Sequence, residues 1–123
     1  DSLMAWGCGR VFEGTMDMQW STMQKFQTLP RAMSIYSGHE YTTANLAFAA
    51  TVDPQNAALQ ARIAKVTKAR AERRATVPSR LSGELATNPF LRANDPYIRA
   101  TLGMTLASDA EVFARLRSMK DSF

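Results

Sequence analysis

The chain has 123 residues, 46% hydrophobic content and a net charge of +4, which permits an anionic small molecule or a nucleic acid as ligand and requires neither. This length suits one globular domain, and no apolar run approaches the roughly 20 residues of a membrane-spanning helix. A single cysteine excludes an internal disulfide framework and suits a reducing compartment, so we expect a cytoplasmic location.

Two short apolar segments near the N-terminus predict β-strands. Residues 2–6 end at a Gly-Cys-Gly turn, and residues 33–36 precede Gly38. Two strands do not make an independent sheet. We therefore predict edge strands of a sheet whose other strands lie outside this sequence, as in the C-terminal segment of a longer protein.

Helical periodicity dominates the remainder of the chain. It predicts helices over residues 15–30, 43–52 and 53–74, the last of these starting at an Asp-Pro cap. Residues 76–96 contain several prolines and predict an extended connector. A Ser-Asp-Ala-Glu capping box opens a final helix over residues 108–123. The residues predicted to bury this helix recur at helical spacing: Val112, Leu116, Met119 and Phe123.

The only histidine, His39, follows the second predicted strand in the segment Ser-Gly-His-Glu-Tyr-Thr. Loops at strand ends often carry the functional groups of a rigid scaffold. One histidine cannot build a metal site or a catalytic dyad by itself. A structural histidine and a ligand are both open at this point. The lone Cys8 has no base beside it in sequence, which favours a small buried residue over a nucleophile.

Basic residues form two groups. One group lies on the third predicted helix: Arg62, Lys65, Lys68, Arg70, Arg73 and Arg74. Alanines fill the gaps between them, so a solvated helix face is favoured over a nucleic-acid interface. Arg117 and Lys120 lie three residues apart on the final helix. They could clamp a carboxylate, or they could be helix-end cations that the helix dipole favours.

Several motifs in order resemble the C-terminal half of the hydroxyacylglutathione hydrolase family, also known as glyoxalase II. The first comprises Asp-Ser-Leu, Gly-Cys-Gly-Arg and Glu-Gly-Thr within residues 1–15. Gly-His-Glu-Tyr-Thr followed by Asn-Leu occupies residues 38–46. Val-Pro-Ser, a glutamate and Asn-Pro-Phe-Leu-Arg follow within residues 77–92. The order and spacing make the resemblance specific over nearly the whole chain.

The resemblance implies an α+β fold fragment. Residues 1–42 would contribute edge strands of a metallo-β-lactamase αββα sandwich, the catalytic domain. Residues 43–123 would form a mostly helical, glutathione-binding C-terminal domain. The implied partners are a glutathione thioester and the upstream half of the same protein. A monomer is expected, with no nucleic acid and no membrane as partner.

The implied activity is hydrolysis of S-D-lactoylglutathione to glutathione and D-lactate at a dinuclear metal site, a step of methylglyoxal detoxification. Two divalent metals are implied, with zinc expected and iron or manganese as alternatives. By resemblance, Asp1 is the carboxylate that bridges the metals and His39 is the last histidine ligand. The other ligands belong to the upstream half, so this chain alone is expected to be inactive, and no catalytic residue is assigned.

The resemblance also assigns the substrate contacts. Arg10 on the glycine-rich loop and Tyr41 after the histidine would bind glutathione. Arg117 and Lys120 would grip the glycine carboxylate. Phe12 stands at a binding position where the family often has tyrosine, so a hydroxyl contact is missing there.

Two other classes remain as alternatives. One is another hydrolase of the metallo-β-lactamase fold or a persulfide dioxygenase, against which the basic pair on the final helix argues. The other is a basic helical module that binds nucleic acid or acts as an adaptor. The strand-like N-terminus and the Gly-His-Glu-Tyr-Thr loop argue against that module.

Overall fold

The computed structural model describes residues 2–123, which contain six α-helices and four two-residue strands. The elements in chain order are β1 (Leu3–Met4), β2 (Gly7–Cys8), α1 (Met16–Gln27), β3 (Ser34–Ile35), α2 (Thr42–Val52), α3 (Ala57–Ala71), β4 (Ser79–Arg80), α4 (Leu81–Thr87), a 3₁₀ turn (Pro89–Leu91), α5 (Pro96–Leu102) and α6 (Asp109–Asp121).

The mostly helical character is confirmed, and local capping explains where two helices begin. The Thr15 hydroxyl accepts a hydrogen bond from the Met18 amide, and the Ser108 hydroxyl accepts one from the Glu111 amide at 3.2 Å. Each hydroxyl satisfies a backbone donor that the first helical turn leaves unpaired. The capping box at residues 108–111 therefore starts α6 as its sequence predicts.

The short strands pair with each other within this chain. Strands β1 and β2 form an antiparallel hairpin in which Leu3 faces Cys8. Strand β3 pairs antiparallel with β4, and Ser34 faces Arg80. The predicted edge strands thus have partners in the described residues. The αββα sandwich and the domain boundary after residue 42 stay predictions.

Two predictions about the middle of the chain are wrong. The Asp-Pro pair does not start a helix, because Asp53 caps the end of α2 and its carboxylate is bound by Arg92 and Asn56. Helix α3 begins only at residue 57, after the Asn56 cap. Residues 76–96 are not an extended connector, since they contain α4 and the 3₁₀ turn. Proline at the first helical position starts a turn as readily as it breaks one.

Aromatic packing joins the front of the chain to its end. The rings of Trp20 and Phe113 are 5.7 Å apart, and Phe90 meets Phe113 edge-on at 6.0 Å. This main core also contains Leu3 of the hairpin. Phe123 was predicted to be buried but is 62% exposed, because α6 ends at residue 121 and only one edge of the ring meets the core, at Phe48.

The β1–β2 hairpin lies between two apolar clusters. Its first and last residues, Leu3 and Cys8, pack in the main core. Its turn residues pack in a second cluster with α2 and α3, in which Trp6 is 2% exposed. The hairpin is therefore packed on both sides. As a result, the loop that follows it, which contains Gly9 and Arg10, has a defined position beside α6.

Candidate functional site

The hairpin turn needs a glycine at position 7. A Cβ atom there would lie 2.6 Å from the Asn45 side-chain nitrogen, which is closer than van der Waals contact allows. The Asn45 amide cannot simply withdraw, since its Nδ2 donates to the Ala5 carbonyl at 3.0 Å. Close packing of backbone against this amide sets the path of the chain into the loop at Gly9 and Arg10.

Arg117 ties α6 to this loop. The side chain is buried, with 3% exposure, and its Nη1 donates to the Cys8 carbonyl at 2.6 Å. Its Nη2 lies 2.9 Å from Asp121 Oδ1, one helical turn further along α6. The guanidinium also lies over the Phe90 ring, 5.2 Å from its centroid. Arg117 thus belongs to the buried face of α6 and not to its solvent face.

Three of the predicted substrate-binding residues meet at one place. Arg10 Nε lies 3.6 Å from Asp121 Oδ1, the oxygen that Arg117 also binds. Partial burial, followed by the charges of Arg117 and Arg10, lowers the pKa of Lys120 below its ordinary value. We call Arg10, Arg117, Lys120 and Asp121 the cation cluster. One carboxylate does not neutralise three cations, so the cluster favours an anion.

Cys8 is a buried thiol beneath this cluster. Burial raises its pKa to about 11, and the Arg117 charge and hydrogen bond oppose the shift only in part. The thiolate is the nucleophilic form of cysteine. Cys8 is therefore poorly suited to nucleophilic catalysis, and the interpretation of a small buried residue is confirmed.

We expect Cys8 to resist alkylation in the folded protein. At pH 8, a pKa about two units above the ordinary value leaves roughly 100-fold less thiolate, and burial slows the reagent further. The rate should rise with pH up to about 11. Iodoacetamide labelling of the Cys8 peptide, measured by mass spectrometry with a urea-unfolded control, tests this. Equal folded and unfolded rates would contradict it.

His39 lies at the surface on the loop that precedes α2. Its ring stacks on the Tyr41 ring, with centroids 4.9 Å apart and planes 6° apart. The neighbouring Glu40 anchors this loop, because its carboxylate accepts the Thr76 amide at 2.6 Å and faces Arg70 at 3.7 Å. Burial acts to raise the pKa of Glu40, but the Thr76 hydrogen bonds and the Arg70 charge outweigh it and lower the pKa.

The other predicted site residues are exposed or lie outside the described residues. Phe12 is 87% exposed, and Tyr41 is also exposed. Asp1 lies outside the described residues. Within residues 2–123, no three His, Cys, Asp or Glu side chains are grouped so that they could hold a metal ion. A metal at His39 would therefore need donors beyond these residues, and the metal and substrate roles stay predictions.

The basic residues between 62 and 74, on α3 and just after it, contact other protein groups in part. The Arg62 guanidinium lies 4.5 Å from the Trp6 ring centroid, and Arg74 pairs with Glu72 at 2.6 Å. Lys65 and Lys68 remain exposed, as on a solvated face. The absence of a nucleic-acid partner stays a prediction. Among the helices of residues 2–123, none combines the length and hydropathy that crossing a membrane requires.

Asp121 belongs to the cation cluster but was not among the site residues predicted from the sequence. Its position four residues after Arg117 is the spacing at which opposite charges pair on a helix, so a signal existed. The link between Arg117 and the Cys8 carbonyl had no such signal, because 109 residues separate the two partners.

Comparison with known proteins gives a consistent result. A family model described as "Hydroxyacylglutathione hydrolase C-terminus" matches residues 40–123. Similar curated proteins, each named hydroxyacylglutathione hydrolase, come from Roseobacter denitrificans (58% identical), Ruegeria pomeroyi (57%) and Rhizobium meliloti (53%). Each alignment covers all 123 residues of this chain and 48% of the relative. The chain thus spans about half the length of these relatives.

Proposed function

Since the chain belongs to the family of the hydroxyacylglutathione hydrolase C-terminus, we propose that it forms the substrate-binding part of a glutathione thioester hydrolase. The full-length protein would convert S-D-lactoylglutathione and related 2-hydroxyacyl thioesters to glutathione and the hydroxy acid. Removal of methylglyoxal would follow from that activity. The observation that carries the proposal is the cation cluster, which joins the glycine-rich loop to the last helix.

The cation cluster suits the peptide end of glutathione. Glutathione is negatively charged at neutral pH, and its glycine carboxylate is a compact anion. Arg10 is exposed and pairs with Asp121 only at 3.6 Å, so a ligand carboxylate can compete for it. Lys120 is half-buried beside it and supplies a point charge. Arg117 carries the strongest protein contacts and holds the loop in place.

The exposed rings of Phe12 and Tyr41 would add contact area for the rest of the peptide. Phe12 has no hydroxyl, so it can offer only apolar contact. Tyr41 offers both a ring and a hydroxyl. With Phe12 unable to donate a hydrogen bond, the cations should carry more of the recognition.

His39 would serve the reacting end of the substrate as a metal ligand. An imidazole on an anchored surface loop suits zinc, with iron or manganese as alternatives, and Asp1 would supply a carboxylate to the same dinuclear site. Bound metal ions would lower the pKa of a water molecule to about 7 and polarise the thioester carbonyl. The neighbouring Glu40 would not be a metal ligand. Its carboxylate accepts a hydrogen bond from the Thr76 amide and keeps the loop oriented.

Replacing Lys120 by alanine tests the proposal in the full-length protein. We expect KM for S-D-lactoylglutathione to rise about tenfold with kcat little changed, because a charge-assisted contact made throughout the reaction is lost. A substrate whose glycine carboxylate is replaced by an amide should bind wild type and variant alike. Steady-state kinetics on both thioesters give the comparison.

The matched control is Lys65→Ala, which removes an exposed lysine from α3 and should leave both substrates unaffected. If Lys120→Ala discriminates between the two thioesters as wild type does, the cation cluster does not bind the glycine carboxylate. A wild-type protein that oxidises glutathione persulfide and leaves the thioester intact would support the dioxygenase alternative.

A further inference from the structure

A fully buried carboxylate holds the turn of the β1–β2 hairpin. Glu84, on α4, has 0% exposure. Its Oε2 accepts the Trp6 backbone amide at 3.0 Å, and its Oε1 lies 3.3 Å from the same nitrogen. Trp6 has a positive φ of 58°, a conformation that costs energy in a residue with a side chain. The hydrogen bond to Glu84 compensates for that cost at the turn.

The carboxylate is supported by two further donors. The Ser79 hydroxyl donates to Oε1 at 2.8 Å, and Asn88 Nδ2 donates to Oε2 at 2.9 Å. The positive charge of Arg62 lowers the pKa of this carboxyl group. Burial still raises the pKa of Glu84 to about 7, despite the hydrogen bonds from Asn88, Ser79 and Trp6. Burying a carboxylate in the core costs free energy, so packing alone does not explain why Glu84 is there.

Three further side chains bind the same stretch of backbone. Asn88 Nδ2 also donates to the Gly7 carbonyl at 3.0 Å, and Asn45 donates to the Ala5 carbonyl. Arg117 donates to the Cys8 carbonyl, as described above. The turn and the second strand are thus fixed residue by residue. The position of Arg10, two residues beyond Cys8, therefore depends on this fixed backbone.

We propose that Glu84 is a positioning residue for substrate binding. Its carboxylate accepts a hydrogen bond from the Trp6 amide and so holds the hairpin in place. The hairpin in turn keeps Arg10 in the cation cluster. This inference rests on the proposed function. Glu84 lies beneath the hairpin and touches no substrate. Its effect reaches the ligand through the backbone of residues 6–10.

Asp53 provides the matched control for this inference. It is also a buried carboxylate, with 4% exposure, and it is held by Arg92 and Asn56 at the end of α2. Those partners lie outside the hairpin. The changes Glu84→Gln and Asp53→Asn each replace a buried carboxylate by the amide of the same size. Both should lower the thermal midpoint, but only the first should loosen the hairpin.

The experiment compares both variants with wild type in the full-length protein. Glutamine places an NH₂ group against donors that need an acceptor, so the Trp6 amide or Asn88 loses its partner. For Glu84→Gln we expect KM for the glutathione thioester to rise at least about fivefold, with kcat within about twofold. By mass spectrometry, the Trp6 amide should exchange at least about tenfold faster while amides of α6 stay protected.

The activity-independent readouts separate this inference from the proposed function. Faster Cys8 alkylation in Glu84→Gln than in Asp53→Asn, at equal stability, supports the inference even without turnover. A wild-type protein that does not hydrolyse the thioester contradicts the proposed function alone. If Glu84→Gln matches Asp53→Asn in KM, Trp6 exchange and Cys8 alkylation, Glu84 is merely structural. Should Glu84→Gln not fold, Glu84→Asp, whose shorter side chain withdraws the carboxylate from the Trp6 amide, is measured against the same control with the same criteria.

Discussion

Replacing His39 by alanine should remove about one equivalent of bound metal from the full-length protein and reduce thioester hydrolysis at least about 100-fold. The reason is that a dinuclear site which loses an imidazole donor keeps an incomplete coordination shell. Because His39 lies at the surface, the stability of the metal-free protein should change by less than about 0.5 kcal/mol. Metal analysis, kinetics and urea unfolding of the metal-free protein measure the three effects.

The control for His39 is Tyr36→Ala, which removes an exposed side chain three residues earlier in the same segment. It should retain full metal content and turnover. A His39→Ala protein with wild-type metal content and wild-type turnover would remove His39 from the site. The surface histidine would then be a structural one that stacks on Tyr41.

Among the variants described, Arg117→Ala should lower the free energy of unfolding the most. The change leaves the buried Cys8 carbonyl without its donor and Asp121 without its closest cation. Loss of these charge-assisted hydrogen bonds should lower the free energy of unfolding by about 3 kcal/mol. We also expect a higher KM for the glutathione thioester, because the loop that carries Arg10 is no longer tied to α6. Urea unfolding and steady-state kinetics give both numbers.

Two variants sharpen the Arg117 experiment. Arg115→Ala removes an exposed arginine from the same helix and should change neither quantity. Arg117→Lys keeps the charge but cannot bridge the Cys8 carbonyl and Asp121 with one planar group, so it should restore only part of the stability. A higher KM in Arg117→Ala without any loss of stability would mean that the guanidinium serves the ligand directly and not the loop.

Local signals in the sequence were enough for several elements. Helical spacing from residue 15 and the capping box at Ser108 were enough for α1 and α6, because these signals depend on residues within a few turns of each other. The same holds for Gly38 after the second predicted strand, which places His39 on a loop. The ordered motifs were sufficient to identify the family.

Local signals failed where the same sequence pattern is compatible with two different local structures. An Asp-Pro pair is compatible with a helix start and with a helix end, and its neighbours do not decide between them. Asp53 ends α2 because Arg92, 39 residues later, reaches its carboxylate. Pro89 and Pro96 likewise start helical turns and do not extend the chain, since caps at Asn88 and Asp95 precede them.

The sequence alone determined which residues are available for the site, and the tertiary structure decided what each one contacts. Arg117 and Lys120 were visible as a pair of cations on the last helix. Only packing shows that Arg117 is buried against a carbonyl 109 residues earlier, or that Glu84 holds a backbone amide 78 residues away. Helical and strand periodicities report on neighbours in sequence, whereas these contacts exist only once the core has brought distant backbone and side chains together.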